Sequence, residues 1–115
     1  MAGATIDAAT FGTLQDTAGA EFVSELVGTF LEEAPVMLRD LREALAARDA
    51  EKFRRAAHSL KSNSLTFGAL GLGTMARELE LGGLERAAQA GADPIAELAA
   101  EYARVSAALE DLRHA

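Results

Sequence analysis

A chain of 115 residues, half of them apolar, is long enough to bury one hydrophobic core but too short for two ordinary ones, so a single domain over residues 1–115 is expected. Alanine and leucine dominate the apolar set, aromatic residues are 5% and tryptophan is absent, which favours helices over sheets and points to an all-α fold. A formal net charge of −7 and the absence of cysteine exclude a general affinity for nucleic acid or anionic membrane surfaces, disulfide staples and a thiolate zinc site.

At the N-terminus, Thr5 or Asp7 is placed to cap a short helix carrying Ile6, Phe11 and Leu14 and ending near Gly19. The start MAGATIDAAT has neither the basic residues nor the apolar stretch of a signal peptide. No run approaches the length of a membrane span, so a cytoplasmic location is expected. From Ala20 to Ala47 the residues Phe22, Val23, Leu26, Val27, Phe30, Leu31, Leu38, Leu41 and Leu45 recur at helical spacing. Pro35 interrupts them, and a proline inside a helix removes a backbone bond. Either one long kinked helix or two helices meeting there is expected.

Asp49 reads as the N-cap of the next helix, with Glu51 in its first turn and Gly68 near its C-terminus. Leu72, Met75, Ala76, Leu79, Leu84 and Ala87 mark a further helix running toward Gly91. Gly82 and Gly83 either permit a close helix contact in it or mark a break. Asp93 followed by Pro94 opens the last helix, whose apolar stripe is Ile95, Leu98, Tyr102, Val105, Leu109 and Leu112. Short connections between amphipathic helices predict an antiparallel up-and-down bundle.

The helix after Asp49 carries the chemistry. At about 100° per residue, Phe53, Ala56, Ala57, Leu60, Ser64 and Phe67 fall opposite His58 and face the core. Glu51, Arg54, Arg55, Lys61, Ser62 and Leu65 lie on the His58 side, so the imidazole is expected in solvent. Arg54, Arg55 and Lys61, three or four residues from His58 in an otherwise acidic chain, offer local positive potential to an incoming phosphoryl dianion. Ser62 is small enough to leave the imidazole open to a partner, and Leu65 is an apolar residue on a polar face, as at docking surfaces.

The segment AAHSLKSNSLTFGA, residues 56–69, resembles the histidine-containing phosphotransfer (HPt) domains of bacterial two-component phosphorelays. His58, Leu60, Lys61, Ser62, Ser64 and Gly68 match that family's motif in order, although Ser62 stands where the family often has glycine. Phe30, Leu41, Leu45 and Asp49 upstream, and RELE at residues 77–80, also sit where the family places them. The resemblance implies a four-helix bundle core of two antiparallel helix pairs, with the short first helix as a lid. It implies that His58, through Nε2, accepts a phosphoryl group from an aspartyl phosphate of a receiver domain and passes it to another receiver. It also implies that Lys61 steadies the phosphoryl oxygens. The Mg²⁺ then belongs to the receiver, in a response regulator or hybrid histidine kinase, and the chain needs no cofactor of its own. It needs no dimer either, and a monomer is expected.

Three other readings compete. A metal site fares poorly, because there are two histidines and no cysteines, and the neighbours of His58 one turn away along its helix are cations rather than carboxylates. The second histidine, His114, sits at the C-terminus, where its charge favourably meets a helix dipole. A hydrolase lacks a glycine-flanked nucleophile, and no ATP-binding loop is present, so self-phosphorylation from ATP is not expected. A non-catalytic helical adaptor would share the fold and the exposed face without needing the imidazole.

Overall fold

The computed structural model describes residues 5–113, and these form five helices and no strand. They are α1 (Ala8–Ala18), α2 (Ala20–Ala47), α3 (Ala50–Thr66), α4 (Leu70–Ala88) and α5 (Pro94–Arg113). Three of the five begin at an aspartate whose side chain takes up backbone N–H groups that a helix leaves unpaired. Asp7, rather than Thr5, caps α1 by accepting from the Thr10 N–H at 3.0 Å. Asp49 accepts from the Lys52 N–H at 3.0 Å. Asp93 accepts from both the Ile95 and Ala96 N–H groups at 3.0 Å.

The run interrupted by Pro35 is one helix. Pro35 has no N–H to give the Leu31 carbonyl one turn back, and that carbonyl accepts instead from the Tyr102 hydroxyl at 3.4 Å. The Gly82–Gly83 pair is a break: Gly83 adopts φ 75° and ψ 177° inside α4, a conformation that only glycine enters without strain. Gly68, after the C-cap Phe67 of α3, has φ 84°. Its N–H bonds the Leu65 carbonyl and the Ala69 N–H bonds the Ser64 carbonyl, so the last carbonyls of α3 are paired. The Gly68 carbonyl in turn accepts from the Asp7 N–H at 2.8 Å, and a Cβ on Gly68 would meet the Asp7 carbonyl oxygen at 2.9 Å. One glycine thus ends α3 and lets the start of α1 dock against it.

The buried apolar residues form one cluster drawn from all five helices. Helices α2 and α4 each pack against both α3 and α5, while α1 packs on α2 and α3. Phe30 of α2 joins the layers, its ring 5.4 Å from Phe67 and 6.0 Å edge-on from Tyr102 of α5. Leu112, expected in the buried stripe of α5, is instead 38% exposed, because it lies in the last turn of that helix. His114 lies outside the described residues.

Candidate functional site

The face assignment for α3 holds residue by residue. Phe53, Ala56, Ala57, Leu60 and Ser64 are buried in the helix, and Phe67 just after it. Ser64 donates its hydroxyl to the Leu60 carbonyl at 2.6 Å, which satisfies the one polar group on that face. This apolar anchor turns the opposite side outward: Glu51, Arg54, Arg55, His58, Ser62 and Leu65 are exposed and Lys61 is half-buried. The His58 side chain is 54% accessible.

Sequence reasoning missed the residue that organises this face. Glu80 of α4 lies against α3 with its side chain 15% accessible; Oε2 is 2.7 Å from Nδ1 of His58 and Oε1 is 2.9 Å from Nζ of Lys61. The Lys61 ammonium holds the Glu80 carboxyl below the ordinary carboxylate range, with the imidazole acting in the same direction and partial burial opposing both. Ionised Glu80 can only accept, so Nδ1 of His58 donates. In the neutral ring the lone pair is then left on Nε2. Oε1 is shut off from solvent and receives no well-aligned hydrogen bond among the described residues. The Lys61 ammonium compensates it as a nearby charge rather than as a directed donor.

The cations around His58 are therefore less free than the sequence suggested. Lys61 is engaged by Glu80. Arg54 donates to Glu51 at 2.5 Å, which raises the guanidinium pKa and lowers that of Glu51, and Arg55 approaches the same Glu51 oxygen at 4.0 Å. The expected ring of basic groups is a mixed array of three cations and two carboxylates, because a long cation on an acidic protein finds the nearest acid. The neighbours of His58 one turn away along α3 are cations, and the carboxylate that reaches the imidazole, Glu80, comes from another helix.

Leu65 is 41% exposed, with its covered part resting on Gly73 of α4, where a Cβ would come within 2.6 Å of Leu65 Cδ2. Glycine there lets α4 approach α3 closely enough for Glu80 to reach His58. Ser62 is exposed between Leu65 and His58. The structure thus brings His58, Lys61, Arg54, Arg55, Ser62 and Leu65 onto one face. Among the described residues no cluster of three or more potential metal ligands forms, and no helix is long and apolar enough to cross a membrane. What the arrangement offers chemically is an oriented imidazole with one nitrogen tied and the other open to a partner.

A family model described as "Hpt domain" matches residues 25–115. Among solved structures, the chain is similar to the histidine-containing phosphotransfer protein B (HptB) of Pseudomonas aeruginosa PAO1. The TM-score is 0.85 at 30% sequence identity, over 96% of this chain and 95% of that one. Among curated proteins, no sequence matches.

Proposed function

The chain belongs to the Hpt domain family, whose role is histidine phosphotransfer in phosphorelays, and on that premise we propose that His58 accepts a phosphoryl group from an aspartyl phosphate of one receiver domain and delivers it to another. The observation that carries this reading is the pairing of an exposed imidazole with a half-buried carboxylate at Nδ1. The Nε2 lone pair attacks phosphorus as the P–O bond to the receiver aspartate breaks, and the aspartate leaves as a carboxylate. The ring keeps its Nδ1 proton throughout, so the charge it gains on forming the N–P bond is met by Glu80. Return transfer reverses these steps, with an incoming aspartate carboxylate as the nucleophile.

Such a reaction needs positioning and charge stabilisation more than covalent machinery. Glu80 positions the ring. Lys61, held beside Glu80 by charge, turns its N–H donors to the phosphoryl oxygens. Arg54 and Arg55 supply further positive charge, while Ser62 and Leu65 form the surface against which the receiver docks. The Mg²⁺ belongs to the receiver, as does the source of the phosphoryl group, because the chain is a carrier rather than a kinase. The domain spans the chain and works as a cytoplasmic monomer, with α2–α5 as its antiparallel four-helix core and α1 as the added N-terminal helix.

The test is to mix the protein with a phosphorylated receiver and Mg²⁺ and follow label. Acid-labile, alkali-stable label on the wild type, and none on His58→Ala, is expected. Label on His58→Ala would overturn the assignment. Receiver binding that survives in both proteins without any transfer would mark an adaptor instead.

A further inference from the structure

We infer that Arg77 of α4 is a specificity-determining cation for the receiver, pairing with an acidic side chain at the rim of the partner's aspartyl-phosphate site. The inference rests on the phosphotransfer reading above. It starts from an inventory of the cations. The described residues hold all eleven lysines and arginines, and eight of them are within 4.0 Å of a carboxylate: Arg39, Arg42, Lys52, Arg54, Arg55, Lys61, Arg104 and Arg113. Arg48, Arg77 and Arg86 form no ion pair among the described residues. Arg48 is the C-cap of α2, at the turn into α3. Arg86 folds back over Gly82, where a Cβ would meet its Cδ at 2.8 Å.

Arg77 is the unpaired cation placed beside the site. The contacts of His58 and Lys61 with Glu80, and of Leu65 with Gly73, show that α3 and α4 run in opposite directions. Arg77, one turn before Glu80, is therefore level with Lys61 and Ser62, about 4.5 Å along the axis from Glu80. It lies about 60° around α4 from Glu80. Ala76 beside it is buried whereas Arg77 is exposed, so that rotation is toward solvent, on the side where His58 opens.

Charge decides what such a residue meets. A receiver that holds Mg²⁺ against an aspartyl phosphate must display carboxylates around it. This chain carries a net charge of −7, so approach is opposed unless the docking face is locally positive. Lys61 and Arg54 are already paired, and separating either from its acid would leave a carboxylate uncompensated. Arg77 gives up only water.

The experiment uses a receiver that labels the wild-type protein, with single-turnover transfer measured against receiver concentration. Arg77→Glu should raise the concentration for half-maximal rate roughly tenfold or more at low salt, with the maximal rate nearly unchanged. At about 0.5 M salt, where exposed charges are screened within a few ångströms, the difference should shrink to about twofold or less. Arg48→Glu, the same change of net charge at the α2–α3 turn, should behave as wild type. Phosphoramidate, a small phosphoryl donor that needs no docking, should label wild type and Arg77→Glu equally, which also reports an intact site. An unchanged half-maximal concentration for Arg77→Glu, or an equal rise for Arg48→Glu, would overturn the inference while leaving the phosphotransfer reading in place. A wild type that takes label from phosphoramidate but from no receiver would overturn that reading, and this inference with it.

Discussion

The charged faces of α3 and α5 are built from similar residues and work differently. On α5, Arg104 pairs with Glu101, three residues back on the same helix. On α3, His58 and Lys61 reach across to one carboxylate of α4. A pair within one helix adds a few tenths of a kcal/mol to that helix and constrains nothing else. A pair between helices fixes where two elements sit and which nitrogen of an imidazole is available. The same chemistry is a local stabiliser in one place and a positioning device in the other.

That contrast can be broken most forcefully at Glu80. Glu80→Ala should slow phosphoryl transfer roughly 10- to 100-fold, the range typical when an outer carboxylate orienting a histidine is lost, in a protein whose circular dichroism remains helical. Transfer at the wild-type rate would mean that the ring needs no partner at Nδ1. Ser62→Phe places an aromatic ring beside the imidazole and should reduce transfer from a receiver by roughly tenfold or more while phosphoramidate still labels His58. Unimpaired transfer would put the docking surface elsewhere. Lys61→Ala should slow transfer by several-fold with little change in Tm, about the scale of one charged contact; a protein that no longer folds would show that the ammonium is structural.

At the small end, Arg104→Ala on α5 should cost less than about 0.5 kcal/mol in chemical denaturation and leave transfer untouched. A marked loss of transfer there would erase the distinction between the two faces. Acid sharpens it differently. Asp7, held low by Thr10, Asp93 by the Ala96 N–H, Glu51 by Arg54 and Glu80 by Lys61 all have carboxyl pKa values lowered by folding. The folded state thus binds fewer protons than the unfolded chain. Their stabilisation is complete above the ordinary carboxyl range, about pH 4, and is lost as pH falls through it. Tm should therefore be flat from about pH 6 to pH 5 and drop below about pH 4. A Tm that rises on acidification would contradict the caps and pairs described above.

Much of this was legible from residue order because it is local. Asp7, Asp49 and Asp93 cap because a cap is a relation over three residues, and the α3 faces follow from one angle per residue. The Gly82–Gly83 break and the passage of α2 through Pro35 were narrowed to two outcomes each, since the choice depends on what packs alongside. Glu80 was quoted only as part of a pattern, because its partners lie 22 and 19 residues away. One signal pointed to it: with Gly73 and Ala76 it continues the small-residue stripe that α4 turns toward α3. An acid on such a stripe needs a partner. The pairing of Lys61 was missed because its acid lies on the neighbouring helix, and that of Arg54 because Glu51, on the same face of α3, was not weighed against it.

The most direct test reads the two nitrogens of His58 themselves. Long-range proton–nitrogen NMR on the folded protein above pH 8 should show the proton on Nδ1, and after phosphorylation the phosphorus coupled to Nε2. A proton residing on Nε2, or a phosphoryl group on Nδ1, would contradict the account.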